Sequence, residues 1–82
     1  MPAFLAEMDK DSQVLQDLLG GDRATLAEHV HAMRGKCCMF GENVLFDMLT
    51  KLEADSLVAA QQEIAAQVGV AVERVRQLRQ YQ

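Results

Sequence analysis

Apolar and polar positions keep a helical beat over most of this chain. In the first segment, about Pro2 to Leu19, the residues Leu5, Met8, Leu15 and Leu19 recur at helical spacing, with Ser12 as the polar interruption. Pro2 is tolerated at a helix start. The run Asp9 to Ser12 is a place where this helix can kink or split, and Gly20-Gly21 end it. Asp22 is suited to cap a second helix, whose Leu26, Val30, Met33, Cys37 and Phe40 form one inward stripe. Gly41 stops it. Asn43 is the expected cap of a third helix, about Asn43 to Ala54, with Val44, Leu45, Met48, Leu49 and Leu52 inward. Asp55 or Ser56 is expected to start the fourth, which runs towards Gln80 on Leu57, Ile64, Val68, Ala71, Val75 and Leu78. Gly69 lies inside that pattern at a cost of about 1 kcal/mol relative to alanine, without ending it. Strand-type alternation and internal repeats are absent from the sequence. Short connections make consecutive helices antiparallel. The expected architecture is all-α: one domain over residues 1–82, an up-down-up-down four-helix bundle.

Composition sharpens this picture in three places. Half of the 82 residues are hydrophobic, enough for one core and too many for a disordered tail. The formal net charge of −4 speaks against nucleic acid as a partner, since phosphate neutralisation needs clustered Lys and Arg. Arg74, Arg76 and Arg79 read instead as a solvated helix end that complements the macrodipole. The two cysteines are neighbours, which disfavours a bond between them and suits a reduced, cytoplasmic compartment. No apolar run approaches the roughly 18 residues of a membrane span, and no signal-peptide pattern opens the chain. The segment is expected to be soluble and monomeric, without membrane contact of its own. It is compatible with being one domain of a larger, membrane-bound protein.

Helical geometry then locates one unusual residue. With about 100° per residue and Leu26 at zero, Val30, Met33, Cys37 and Phe40 fall within roughly 40° of the core direction. His31 falls near 140°, on the outward face, among Ala24, Ala27, Gly35 and Cys38 at about 100–180°. Exposed helix faces are normally long and charged, so a face of small residues around a histidine is odd. A mid-helix glycine is destabilising. Clearance explains it: without a side chain at Gly35, another molecule's backbone can approach the imidazole. Arg34, one turn on, can reach the same space with a guanidinium fork suited to phosphate oxygens. His29, on the margin of the apolar stripe, reads as a boundary residue with one wet edge.

An imidazole is mostly neutral at pH 7 and is then a competent nucleophile. Beside a phosphate-sized donor, it points to phosphoryl acceptance. The sequence has no P-loop, no kinase glycine loop and no carboxylate cluster for Mg²⁺. The chain is therefore expected to lack autonomous kinase activity and to take the phosphoryl group from a partner.

The run His31-Ala-Met-Arg34-Gly35, followed by Gly41 and Leu45, resembles the histidine-containing phosphotransfer (HPt) domain. That family's signature is His-x-Leu-Lys-Gly, with a glycine six residues beyond the first and a leucine four beyond that. Met33 stands for the leucine and Arg34 for the lysine. The "GGD" turn before the histidine helix and "KLE", Lys51 to Glu53, are also similar to the family. Arginine for lysine keeps the charge in a longer, flatter group. Cys37-Cys38 replaces the small polar residues usual there, and Cys38 can tune partner choice or redox sensitivity. The family often has an extra N-terminal helix, and this chain is expected to begin after it.

The resemblance implies the C-terminal module of a hybrid sensor histidine kinase or a free-standing relay protein. It would accept phosphate from the aspartate of one response-regulator receiver domain and donate it to another. His31 would be phosphorylated, and Arg34 would offset charge on the phosphoryl oxygens. Gly35, with Ala27 and Cys38, would leave room for the receiver. Mg²⁺ would sit in the receiver, so no cofactor is expected here. Glu28 can orient the ring or be solvated, and the solvated reading is preferred.

Two rival readings remain from the residues. A metal or redox site built from His29, His31, Cys37 and Cys38 is opposed by geometry, because His31 and Cys38 are about 10 Å apart along the helix axis. A helical interaction domain without phosphorylation, or a degenerate phosphotransfer fold, would use the small-residue face as a docking patch.

Overall fold

The computed structural model describes residues 3–80. The expected helix start at Pro2 lies outside them. Four helices follow in order: α1 (Ala3–Asp17), α2 (Arg23–Phe40), α3 (Asn43–Asp55) and α4 (Gln61–Gln80). α1 packs on α2 and α4, and α3 packs on the same two, while the diagonal pairs do not meet. This is the closed ring of an antiparallel four-helix bundle.

Each helix contributes the stripe its spacing dictates. Met8 and Leu15 of α1, Leu26, Val30 and Met33 of α2, Leu45, Leu49 and Leu52 of α3, and Ile64, Val68 and Val75 of α4 are all essentially inaccessible. Burying each such side chain contributes about 1.5–3 kcal/mol. α1 is one unbroken helix through Asp9 to Ser12. Ser12 is buried there, and its hydroxyl donates to the Asp9 carbonyl at 2.8 Å, so the polar interruption is satisfied within the helix. The helix ends at Asp17, short of Leu19.

Local chemistry sets the other boundaries. The Asp22 carboxylate accepts from the Thr25 amide at 3.3 Å and starts α2. Gly41, at φ 73°, closes it in the left-handed conformation that favours glycine. The cap of α3 is Glu42 rather than Asn43: its carboxylate accepts from the Leu45 amide at 2.6 Å, and Asn43 is already helical. Asp55 and Ser56 end α3 instead of starting α4, which begins only at Gln61. The Ser56 hydroxyl turns back to the Glu53 carbonyl at 2.8 Å. Arg23 of α2 donates to the carbonyls of Ser56 at 2.6 Å and Ala59 at 3.1 Å, which pins the α3–α4 loop to the start of α2.

Three apolar positions expected inside are open to solvent. Phe40 is 58 % exposed and stacks on Phe4, Val44 is 47 % exposed and Leu57 68 %. Phe40 is the last residue of α2, Val44 lies about 100° round α3 from the buried Leu45, and Leu57 lies in the loop after α3. The C-terminal arginines are paired rather than merely solvated. Arg74 holds Glu42 at 2.7 Å, Arg79 holds Asp9 at 2.7 Å, and Arg76 holds Glu73 at 3.4 Å.

Burial pushes the Glu42 carboxyl up, but the Arg74 guanidinium and the Leu45 amide outweigh it and hold it below the usual carboxylate range. A depressed folded-state pKa adds stability that is present above the unfolded value and lost as pH falls through the folded one. Urea midpoints should therefore drop as pH is lowered from about 5 through the ordinary glutamate value of about 4.3 and below it. Glu42→Gln should lose about 1–2 kcal/mol near pH 7 and show a smaller acid dependence. An unchanged acid dependence in that variant would remove Glu42 from this role.

Candidate functional site

α2 carries His31 on its outward face, with the side chain 71 % exposed. Its Nδ1 lies 3.1 Å from Oε2 of Glu53, which α3 brings alongside. An ionised carboxylate only accepts, so the neutral ring places its proton on Nδ1 and leaves the Nε2 lone pair unprotonated. The other Glu53 oxygen accepts from Nη1 of Arg34 at 2.6 Å. Arg34 also lies over the Phe46 ring, 5.3 Å from its centroid. One carboxylate thus fixes both the imidazole and the guanidinium, and an aromatic face supports the latter.

The surrounding surface is low. Gly35, one turn beyond His31, is exposed, and nothing lies within 4 Å of where a Cβ would stand. Cys38 is exposed on the same face, and Ala27 is half-buried one turn before the histidine. The five residues singled out from the sequence, His31, Arg34, Gly35, Ala27 and Cys38, therefore lie along one helix and one side of it.

The remaining candidates fall elsewhere. Nε2 of His29 meets the Asp11 carbonyl at 2.8 Å, tying α2 to α1 as a boundary residue does. Cys37 is buried, and burial first, then Glu42 and Asp11, push its thiol up to about 11. It is a packing residue with no reactive thiolate at neutral pH. Glu28 is exposed, and the carboxylate that meets the ring is Glu53. Among the described residues no three His, Cys, Asp or Glu side chains converge as a metal site would require. No described helix is long and apolar enough to cross a membrane.

Glu53 is the residue that reading α2 alone misses. Its signal is symmetry about the turn. His31 and Glu53 are each eleven residues along the chain from Glu42, in the Gly41-Glu42 turn between the two helices, so an antiparallel hairpin sets them side by side.

A rigid bundle that presents a half-tethered, solvent-facing imidazole beside an arginine defines a class of protein, the histidine phosphotransfer module. The sequence model of the Hpt domain matches residues 1–80, and the chain belongs to the Hpt domain family. No curated protein and no solved structure matches it. Hpt domains act in phosphotransfer within two-component signalling, and receiver domains are their general partners.

Proposed function

We propose that this domain is a phosphorelay intermediate in which His31 accepts a phosphoryl group from a receiver-domain aspartate and passes it to a second receiver. The observation that carries this reading is the exposed Nε2 of a ring whose Nδ1 is tied to Glu53. In the forward step the Nε2 lone pair attacks phosphorus, the P–O bond of the aspartyl phosphate breaks, and the aspartate leaves as a carboxylate. The Nδ1 proton stays on the ring. Glu53 offsets the positive charge that the imidazole gains. Arg34 offers one arm of its guanidinium to the phosphoryl oxygens while the other stays near Glu53. Mg²⁺ belongs to the receiver, whose electrostatics and positioning supply most of the catalysis. The reverse step uses the same groups, so transfer runs both ways.

The test is incubation with a phosphorylated receiver domain. The expected product is a label on this chain that acid removes and base does not, mapping by fragmentation mass spectrometry to His31. A label elsewhere, or none from any receiver, overturns the assignment.

Glu53 has its own expected result. A hydrogen bond to a charged group is worth about 1.5–3 kcal/mol. If that is realised as the ring becomes positive, Glu53→Ala should slow acceptance at least about tenfold. The ¹⁵N shifts of the ring should show loss of the Nδ1–H tautomer. Unchanged shifts and rate would make Glu53 a surface ion pair only.

A further inference from the structure

The α3–α4 loop exposes two adjacent apolar side chains, Leu57 at 68 % and Val58 at 81 %. Isolated exposed apolar residues are ordinary and need no explanation. These two differ in being held out. Arg23 grips the carbonyls of Ser56 and Ala59 on either side of them, and Val58 and Ala59 amides both return to the Asp55 carbonyl at 3.0 and 2.8 Å. The loop is a fixed bend and cannot fold its apolar tips inward without breaking those bonds.

The position of the bend matters as much as its rigidity. The hairpin that sets Glu53 beside His31 carries the chain on, past the end of α3, towards the start of α2. The Arg23 contacts to Ser56 and Ala59, on either side of Leu57, hold that stretch at the start of α2. Leu57 therefore lies between contacts at the level of the imidazole and contacts to Arg23, eight residues or about 12 Å back along α2. Even a small transient interface covers about 600 Å² per partner, a disc of roughly 14 Å radius. A disc of that size centred on His31 extends to the level of Arg23 and so takes in the loop that carries Leu57.

We propose that Leu57, with its neighbour Val58, is the apolar anchor of the receiver-docking surface and selects which receivers exchange phosphate with this domain. The proposal rests on the assignment of His31 as the acceptor. It makes the loop a specificity element outside the helix that carries the chemistry.

The experiment loads isolated receiver domains of the source organism with acetyl phosphate, removes the reagent, and measures transfer to wild type, Leu57→Asp, Val58→Asp and Leu57→Ala. Phosphoramidate, which needs no docking surface, labels His31 directly in parallel. Leu57→Asp should raise KM for the receiver about 10- to 100-fold, the range for losing a buried leucine. Its kcat should stay within about twofold of wild type, as expected when only uniform binding is lost. Leu57→Ala should act in the same direction with a smaller effect, while phosphoramidate labelling and circular dichroism stay unchanged. Val70→Asp, on α4 diagonal to α2, should transfer like wild type. Unaltered KM in both Leu57 variants overturns the anchor and leaves His31 as acceptor. Failure of every receiver to label wild type overturns the acceptor reading and the anchor with it.

Discussion

His31→Gln is expected to abolish the acid-labile, base-stable label, down to background, in a domain that stays folded. Glutamine has no nitrogen nucleophile at neutral pH, so loss of Nε2 removes the bond-forming atom itself. The fold should tolerate the change because the side chain is 71 % exposed and packs nothing in the core. Exposed substitutions away from special features usually stay within about 0.5 kcal/mol. The substitution gives up the imidazole's hydrogen bond to Glu53, and an exposed pair of this kind contributes little. Glutamine can also donate to that carboxylate. Thermal melting and transfer should therefore separate cleanly: the midpoint nearly unchanged, the label gone. Equal labelling of variant and wild type would move the chemistry to another residue.

The second large effect is expected at Gly35, where stability and transfer should move in opposite directions. Gly35→Leu restores helix propensity at a mid-helix site with open space around it, a gain of roughly 0.5–1 kcal/mol. For a domain of this size that raises the melting point by about 2–8 °C. The added side chain stands one turn from His31 on the same face, in the volume an approaching receiver needs. Transfer from a receiver should fall at least about tenfold, a cost of only about 1.4 kcal/mol in the docked transition state. Labelling by phosphoramidate should persist, because a small donor passes beside the leucine. Undiminished receiver transfer would mean that no partner backbone comes close at Gly35, and that the glycine serves no clearance role.

Much of the site is readable along α2 itself. The outward direction of His31, the openness at Gly35, the exposure of Cys38 and the burial of Cys37 all follow from angle about one helix axis, counted from Leu26 and Val30. Helix geometry is local, so those statements need no partner element. The boundary role of His29 follows in the same way, though its acceptor, the Asp11 carbonyl, belongs to α1. Glu53 is different in kind. Its contact with His31 depends on the register between α2 and α3, which the Gly41-Glu42 turn sets. Composition and periodicity within either helix do not contain it.

The same division explains the misplaced boundaries. Asn43, Asp55 and Ser56 all have capping chemistry. Glu42 takes the α3 cap, with its carboxylate shared between the Leu45 amide and Arg74 of α4. Ser56 closes α3 because Arg23, far away in sequence, draws its carbonyl across. Capping propensity is weak enough for one tertiary contact to decide between neighbouring candidates.

From sequence alone come the four helices, their inward stripes and the outward histidine with its bare neighbour, because each depends on spacing within a single helix. Tertiary structure decides the carboxylate that holds the imidazole and the arginine, the paired state of Arg74 and Arg79, and the exposed loop at Leu57. Those depend on how far one helix slides along another, and that register emerges only when the turns and the core close together.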